Sequence, residues 1–521
     1  MTTTTHSKRV RRLGFLTQRQ WFALHSWLGL KFALLLSVIL ISGTVATLGH
    51  EIHWLVNPHL RVTPQESRVS WQEMVASVER AYPDRTLAKI GPQPGGRFAV
   101  QAMMYTPDRA IRYVYVDPYT GEVTGDTRGY NAHLFLRHLH RFLFLGPTGI
   151  YIVGFFSFFL IASLVSGLLV YRKFWRGFFR LPPLRPARAF WGGMHKVAGL
   201  WSLWFVLLMG VTGGWYFAEQ LLTDTGNRVS LPRPLLTDAM LDELKGSPTT
   251  RIGVEEAVHA AQRELPGLRV ETISFPANAH DPIRVSGHTD ALLVHDRASA
   301  VYVHPFDGSV LDSHRAEELS LGMRLIESAN PLHFGDFGGL ASKLVWLAFG
   351  ILLSGLAISG ALVWVKRTHH RLAEDGGRPR MMGRWKYLNL LFLAPLPVLG
   401  YLFVGFTDPV RAAGPTLPAQ ELGGGAASLT QVREARPGGS ASFFVDLSPD
   451  LAQRARAVHV NVGDEPGEGS EVDDFLRKPR VKAPVPNEAG PGTSVWLTVE
   501  LLDGRRESIG WPLELAASPQ G

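Results

Sequence analysis

Five stretches of the chain are almost continuously apolar, and between them polar residues return with the periods of helices and strands. Residues 27–48, 150–171, 197–217 and 340–365 each approach the roughly 20 residues that cross a bilayer core of about 30 Å, and they predict four membrane helices. A fifth stretch, 387–406, holds Pro395 and Pro397 and predicts a kinked span, because proline removes a helical donor and crowds the preceding turn. The first stretch is too long for a signal-peptide core and lacks a small-residue cleavage site, so it reads as a retained anchor. Outside the spans, 71–82 and 254–265 read as helices ended by Pro83 and Pro266. Residues 115–123 and 302–310 read as strand, turn, strand. After a Gly/Ala/Pro-rich linker at 412–440, alternating pieces at 442–447, 457–462, 494–502 and 508–515 predict a small β-rich domain.

The chain is written twice. A shift of 170 superposes Trp21, His25, Gly29, Leu30 and Gly43 on Trp191, His195, Gly199, Leu200 and Gly213; a shift of 193 superposes His140, Ser166, Gly167 and Lys173 on His333, Ser359, Gly360 and Lys366. Spans three and four therefore copy spans one and two. The strand-turn-strand segments repeat as well.

Charge sets the expected orientation. Basic residues crowd three places: before span one (Lys8, Arg9, Arg11, Arg12, Arg19), between spans two and three (Arg172, Lys173, Arg176, Arg180, Arg185, Arg188), and after span four (Lys366, Arg367, Arg371, Arg378, Arg380, Arg384). The positive-inside rule makes these cytoplasmic. The formal charge of +8 is then a topology signal, and nucleic acid is not an expected partner. The expected organisation is 1–54, N-terminus and span one; 55–149, first external domain; 150–217, spans two and three; 218–339, second external domain; 340–406, spans four and five; and 407–521, linker and β-rich domain. For a bacterial inner-membrane protein the external parts, with the C-terminus, lie in the periplasm. The chain has no cysteine, which removes disulfides, iron–sulfur clusters, thiolate-held haem and covalently attached haem.

The His-x3-Gly-Leu openings at His25 and His195, the Leu-His pairs at His140 and His333, the Ser-Gly exits at Gly167 and Gly360, and Asp117-Pro-x-Thr-Gly-Glu122 together resemble the PepSY-associated transmembrane proteins, which include inner-membrane ferrisiderophore reductases. The likeness covers residues from about 15 to 370. It implies two periplasmic α+β PepSY-like domains; with the apolar runs, the repeat and the alternating tail, the expected fold is membrane α-helical, a four-helix core from an internal duplication plus a fifth span, with those two domains and a β-rich C-terminal domain. The second hairpin departs from the pattern, with His304 and Asp307 where Asp and Thr are usual.

Ionisable residues at membrane spans are functional candidates by default. An interfacial imidazole can also rest among headgroups beside Trp21, Trp27 and Trp191, and duplication alone would copy it. The pairing says more. Spans one and three run in the same direction, so His25 and His195 are expected at one depth across a pseudo-twofold axis, and His140 and His333 likewise near the other face. Neutral imidazole is a normal axial ligand of haem iron, so these four are the expected ligands of two b-type haems. Gly29, Gly43, Gly199, Gly213 and Gly214 would give room for a flat macrocycle or for close helix packing. His50 and His138 are second-tier candidates; His50 lies 25 residues beyond His25, roughly 37 Å of helix, too far to share an iron with it. The spacing of His133, His138 and His140 also allows a start of a zinc site. Arg109, Arg112 and Arg128 are candidates to meet an anionic ferric chelate, or else line a solvated strand edge. The pairs His280–Asp281 and His295–Asp296 read as solvated loop residues.

The glycine runs at 423–425 and 338–339 lack the strand-glycine-helix context of a dinucleotide site. The donor is therefore expected to be a membrane quinol or a separate cytoplasmic protein, and the resemblance supplies a ferric siderophore or other periplasmic acceptor. Two other classes remain open: a haem-free scaffold whose external domains act on a periplasmic protease, and an iron-chelate permease.

Overall fold

The duplication governs the architecture. The computed structural model describes residues 12–13, 16–107, 110–245, 250–375, 383–405, 416–433, 437–467, 469–477, 480–490 and 492–513. The first repeat runs α1 (Gln18–Lys31), α2 (Ala33–Ala46), α3 (Gly49–Val56), α4 (Trp71–Ala81), four strands β1 (Thr86–Gly91), β2 (Val100–Tyr105), β3 (Ile111–Val116) and β4 (Val123–Arg128), then α5 (Ala132–Phe142) and α6 (Pro147–Val170). The second runs α7 (Ala187–Trp201), α8 (Leu203–Asp224), α9 (Asp238–Asp242), α10 (Val254–Glu264), β5 (Arg269–Ser274), β6 (Ile283–His288), β7 (Ser299–Val303), β8 (Val310–His314), α11 (Leu321–Phe334) and α12 (Gly339–Asp375). Helices α13 (Trp385–Leu393) and α14 (Leu396–Gly405) follow.

Among the described residues four helical stretches are long and apolar enough to cross a membrane: Pro147–Val170, Leu203–Asp224, Gly339–Lys366 and Trp385–Val404. The first expected span is not one straight rod. It is α1 and α2, bent by 68° at Phe32. The break has a physical cause. The buried amide of Asn389 on α13 accepts from Leu35 N–H at 3.1 Å and donates to the Lys31 carbonyl at 2.7 Å, so a side chain inserted into the ladder satisfies the backbone groups the bend releases. The second repeat breaks at the matching place, Ser202, whose hydroxyl donates to Ala198 O; the third expected span therefore starts afresh at Leu203.

The two expected external domains are one body. Their strands form a single antiparallel sheet in the order β8-β7-β6-β5-β1-β2-β3-β4, joined where Lys89 and Ile90 of β1 pair with Ser274 and Ile273 of β5. Each four-stranded half alone would expose an open edge at this position, and pairing the two edges removes that liability. Helices α4 and α10 cover one face, where Met74, Val78, Ala257 and Val258 pack on Ile90, Ile273, Val285 and Val301. The opposite face looks toward the bundle: Tyr115 Oη is 3.1 Å from His53 Nε2 on α3.

The C-terminal region holds β9 (Gln420–Leu422), β10 (Gly425–Arg433), β11 (Ser440–Leu447), α15 (Pro449–Arg454), β12 (Ala455–Gly463), β13 (Ser470–Glu471), β14 (Arg480–Pro484), β15 (Ser494–Leu501) and β16 (Arg506–Pro512). They make two four-stranded sheets, β9-β10-β11-β14 and β13-β12-β15-β16, around Leu429, Phe443, Leu497 and Trp511. The expected linker thus contains strands: Ala427 and Leu429 of β10 are buried, small residues being what fits between the sheets. The sandwich rests on the large sheet through Leu476 N–H to Ala277 O at 3.1 Å and Asn278 to Asp473 O at 2.7 Å. Arg456 adds ion pairs to Asp238 and Asp242 of α9.

Candidate functional site

His25 in α1 and His195 in α7 each precede the helix break of their repeat by seven residues. His140 and His333 stand in the last turns of α5 and α11, whose N-termini are capped by the side chains of Asn131 and Ser320. The fold brings the repeat-equivalent rings next to each other. The His25 and His195 ring centroids are 6.2 Å apart with planes at 73°, and those of His140 and His333 are 6.2 Å apart with planes at 32°.

All four rings are anchored in the same manner. His25 Nδ1 is 3.1 Å from both Ser163 O and Ser166 Oγ, and His195 Nδ1 is 3.0 Å from Ser359 Oγ. His140 Nδ1 is 2.9 Å from Ile39 O, and His333 Nδ1 is 2.8 Å from Thr212 Oγ1. A carbonyl oxygen only accepts. The hydroxyls of Ser166, Ser359 and Thr212 already donate their single proton to Ser163 O, Leu356 O and Leu208 O, so they too accept. Each Nδ1 therefore carries the hydrogen, and the lone pair of each neutral imidazole is on Nε2. This is the arrangement by which outer partners orient metal-ligating histidines.

Glycines let the rings approach the helices. A Cβ on Gly167 would lie 3.3 Å from His25 Cε1, and one on Gly360 would lie 3.3 Å from His195 Cε1. A Cβ on Gly43 would be 2.5 Å from His140 Cε1. The matching Gly213 meets Ser157 instead, and Gly214 meets it too; Gly29 and Gly199 touch neither histidine pair. Trp346 Nε1 donates to Leu332 O at 2.9 Å, which sets His333 level with Trp346, while Gly360 adjoins His195. Fourteen residues of α12 separate those levels, or roughly 21 Å of helix.

A cavity of about 160 Å³ opens beside the His140–His333 pair, bordered by Gly43, His133, Arg137, Arg141 and Tyr216 among others. His133 Nδ1 is buried there without a hydrogen-bond partner, and Tyr216 Oη has the Asn330 side chain beside it. The turn that leaves α5 is strained, with Leu143 and Phe144 at φ 46° and 56°, a cost of order 1–3 kcal/mol per residue that persists only where the surroundings enforce it.

The second-tier residues lie elsewhere. His50 stacks on His133 at 3.9 Å and bonds Gln93 at 3.2 Å, and burial together with Lys343 pushes its pKa down to about 4. His138 packs between Phe142 and Phe403, away from His133 and His140. Among the described residues no group of three or more His, Asp or Glu side chains converges as a metal site. Arg109 lies outside the described residues. Arg112 pairs across the sheet with Met104 and Arg128, on the face that carries α4, so it does not look toward the bundle; Lys89 and Arg284 take the bundle-facing positions, in register through Ser274. Asp281 is not solvated: it is buried and bonds Arg233 at 2.7 Å. His295 is half-buried and held down at about 4 by burial and Arg297, while Asp296 pairs with His288 at 2.9 Å.

The donor set is of the kind that suits haem: neutral imidazole is an ordinary protein ligand of its iron, and His25 with His195, and His140 with His333, would supply it in pairs whose ring centroids are 6.2 Å apart. Sequence reasoning missed the partners that hold the rings, Thr212 and the Ile39 carbonyl, as well as Asn389, Arg137, Arg141 and Tyr216. Thr212 was findable, since the shift of 170 places it on Ser42, a polar pair in mid-span.

These features define a duplicated helical membrane protein with a histidine pair at each of two levels and one extramembrane sheet built from both repeats. The family model described as PepSY-associated TM region matches residues 22–367, and the chain belongs to that family. It is also 24% identical over 266 residues to an uncharacterized protein of Pseudomonas aeruginosa. That match covers 48% of this chain and spans 66% of the relative's length.

Proposed function

We propose that the protein is a dihaem b-type reductase of the bacterial inner membrane, which passes single electrons from the cytoplasmic side of the bundle to an acceptor at its sheet side. The observation that carries this reading is the common anchoring of His25, His195, His140 and His333 through Nδ1, in two pairs with centroids 6.2 Å apart. Held by such pairs, haem would supply a reversible one-electron centre. The chain's own part is to hold Nε2 lone pairs ready, to keep each ring from rotating, and to space the two levels by roughly 21 Å of helix, which divides the membrane into two shorter transfers.

The bias of basic residues toward the loops on one side favours a cytoplasmic N-terminus with the His25–His195 level near that face, and a periplasmic sheet and C-terminal sandwich. A quinol, releasing two electrons and two protons, or a separate cytoplasmic donor would reduce the first centre. Two molecules of a ferric siderophore would each take one electron, and reduction to iron(II) weakens a hard-oxygen chelate. Lys89 and Arg284 on the bundle-facing side of the sheet suit an anionic chelate.

An absorption spectrum of the purified protein, oxidised and then reduced, with haem quantified per chain, tests the reading. Two haems are expected; His25→Ala with His195→Ala should remove one, and His140→Ala with His333→Ala the other. A colourless protein, or two haems retained in both double variants, would overturn it; a colourless protein would favour the scaffold alternative.

A further inference from the structure

We propose that Arg137 and Arg141 clamp the two carboxylates of the cofactor held by His140 and His333, and so fix which edge of the macrocycle faces α5. The inference rests on the haem reading above. Both arginines lie on α5 one turn apart, with His133 a further turn before, and both line the cavity beside the histidine pair. Like charges at this spacing repel and destabilise a helix. Among the described residues neither guanidinium meets a carboxylate; aromatic rings lie beside them, Phe334 at 6.0 Å from Arg137, and Phe142 and Tyr216 at 5.1 and 5.8 Å from Arg141. Two cations placed against an apolar cavity call for two anionic charges.

The duplication sharpens the case. Shifting by 193 sets Asn330 and Phe334 opposite Arg137 and Arg141, and both of those neutral residues line the same cavity. The site is therefore symmetric in its imidazoles and one-sided in its charge. A ligand whose two carboxylates leave from one edge matches that asymmetry. The same chemistry could serve a carboxylate of the acceptor molecule, so the test separates the two sources.

Full-length protein, prepared in detergent from haem-deficient cells, is titrated with hemin and with hemin dimethyl ester, which lacks the carboxylate charges. In the unaltered chain the ester should bind one of the two sites at least tenfold more weakly than the acid. In Arg137→Gln/Arg141→Gln that discrimination should vanish, with hemin itself ten- to a hundredfold weaker there, while the other site binds as before and reports that the bundle is folded. Arg137→Lys/Arg141→Lys should restore part of it. Equal binding of acid and ester by the unaltered chain, or discrimination that survives in the glutamine variant, would overturn the clamp and point to the acceptor as the anion. Failure of the unaltered chain to bind either form would instead overturn the haem reading beneath it.

Discussion

Ser359 accepts from His195 Nδ1 at 3.0 Å, and Ser166 stands 3.1 Å from His25 Nδ1 in the other repeat. The two serines are the residues ahead of the Ser-Gly helix exits, so this motif has a concrete purpose: the hydroxyl fixes the tautomer and the glycine admits the ring. Removing such an outer partner typically weakens metal binding about ten- to a hundredfold. Ser359→Ala is therefore expected to weaken haem at the His25–His195 level by about that factor in a hemin titration, and to leave the other level unchanged.

Gly43→Ala tests the outer pair by space alone. The added methyl would stand 2.5 Å from His140 Cε1, closer than packed carbons tolerate, while alanine itself suits a helix better than glycine by about 0.5–1 kcal/mol. The ring must move off the Ile39 carbonyl. Loss of one haem per chain is expected without loss of thermal stability. Gly199→Ala, whose methyl meets only Leu356 at 3.6 Å, should bind both haems; equal effects of the two substitutions would remove the steric explanation.

The spans, the duplication and the pairing of the histidines were legible because they follow from apolar run length and from register, which the chain writes directly. Three things were not. The backbone groups freed by the 68° bend at Phe32 are satisfied by Asn389, some 350 residues on, and no local pattern announces that contact. The merging of the two external domains depends on edge pairing between β1 and β5, a contact that alternation within either segment does not encode. The strand β10 was hidden in Gly- and Ala-rich sequence, since small residues that read as linker also fill the narrow space between packed sheets. At the site itself, ring types and positions could be read, whereas the partners on Nδ1 are a backbone carbonyl in one case and a lone mid-span threonine in another.

Asn389→Leu probes that distant control. The substitution leaves the Lys31 carbonyl and the Leu35 N–H without partners in an apolar setting, and each unsatisfied buried group costs about 1–3 kcal/mol. Loss of about 2–4 kcal/mol is expected, seen as a lower unfolding midpoint in detergent. Because α1 carries His25, haem at the His25–His195 level should be lost preferentially. A variant as stable as the parent, with both haems, would show that the bend is set by something else.

His50 and Asp336 should give stability opposite dependences on pH. His50 is held at about 4 by burial and by Lys343, with Glu51 and Gln93 opposing and His53 and His133 beside it. The unfolded chain therefore binds a proton near 6.5 that the folded chain refuses, and stability falls as pH drops from about 6.5 to 4. Asp336 is raised to about 6, first by burial and then by Asp296, against the pull of Lys343 and His288. The folded chain keeps its proton up to pH 6, so this contribution is present at low pH and is lost as pH rises from about 4 to 6. Unfolding midpoints measured from pH 4 to 7 should accordingly show His50→Gln gaining on the parent toward acid and Asp336→Asn gaining toward neutrality. Parallel curves for both variants would mean that neither group changes its protonation on folding.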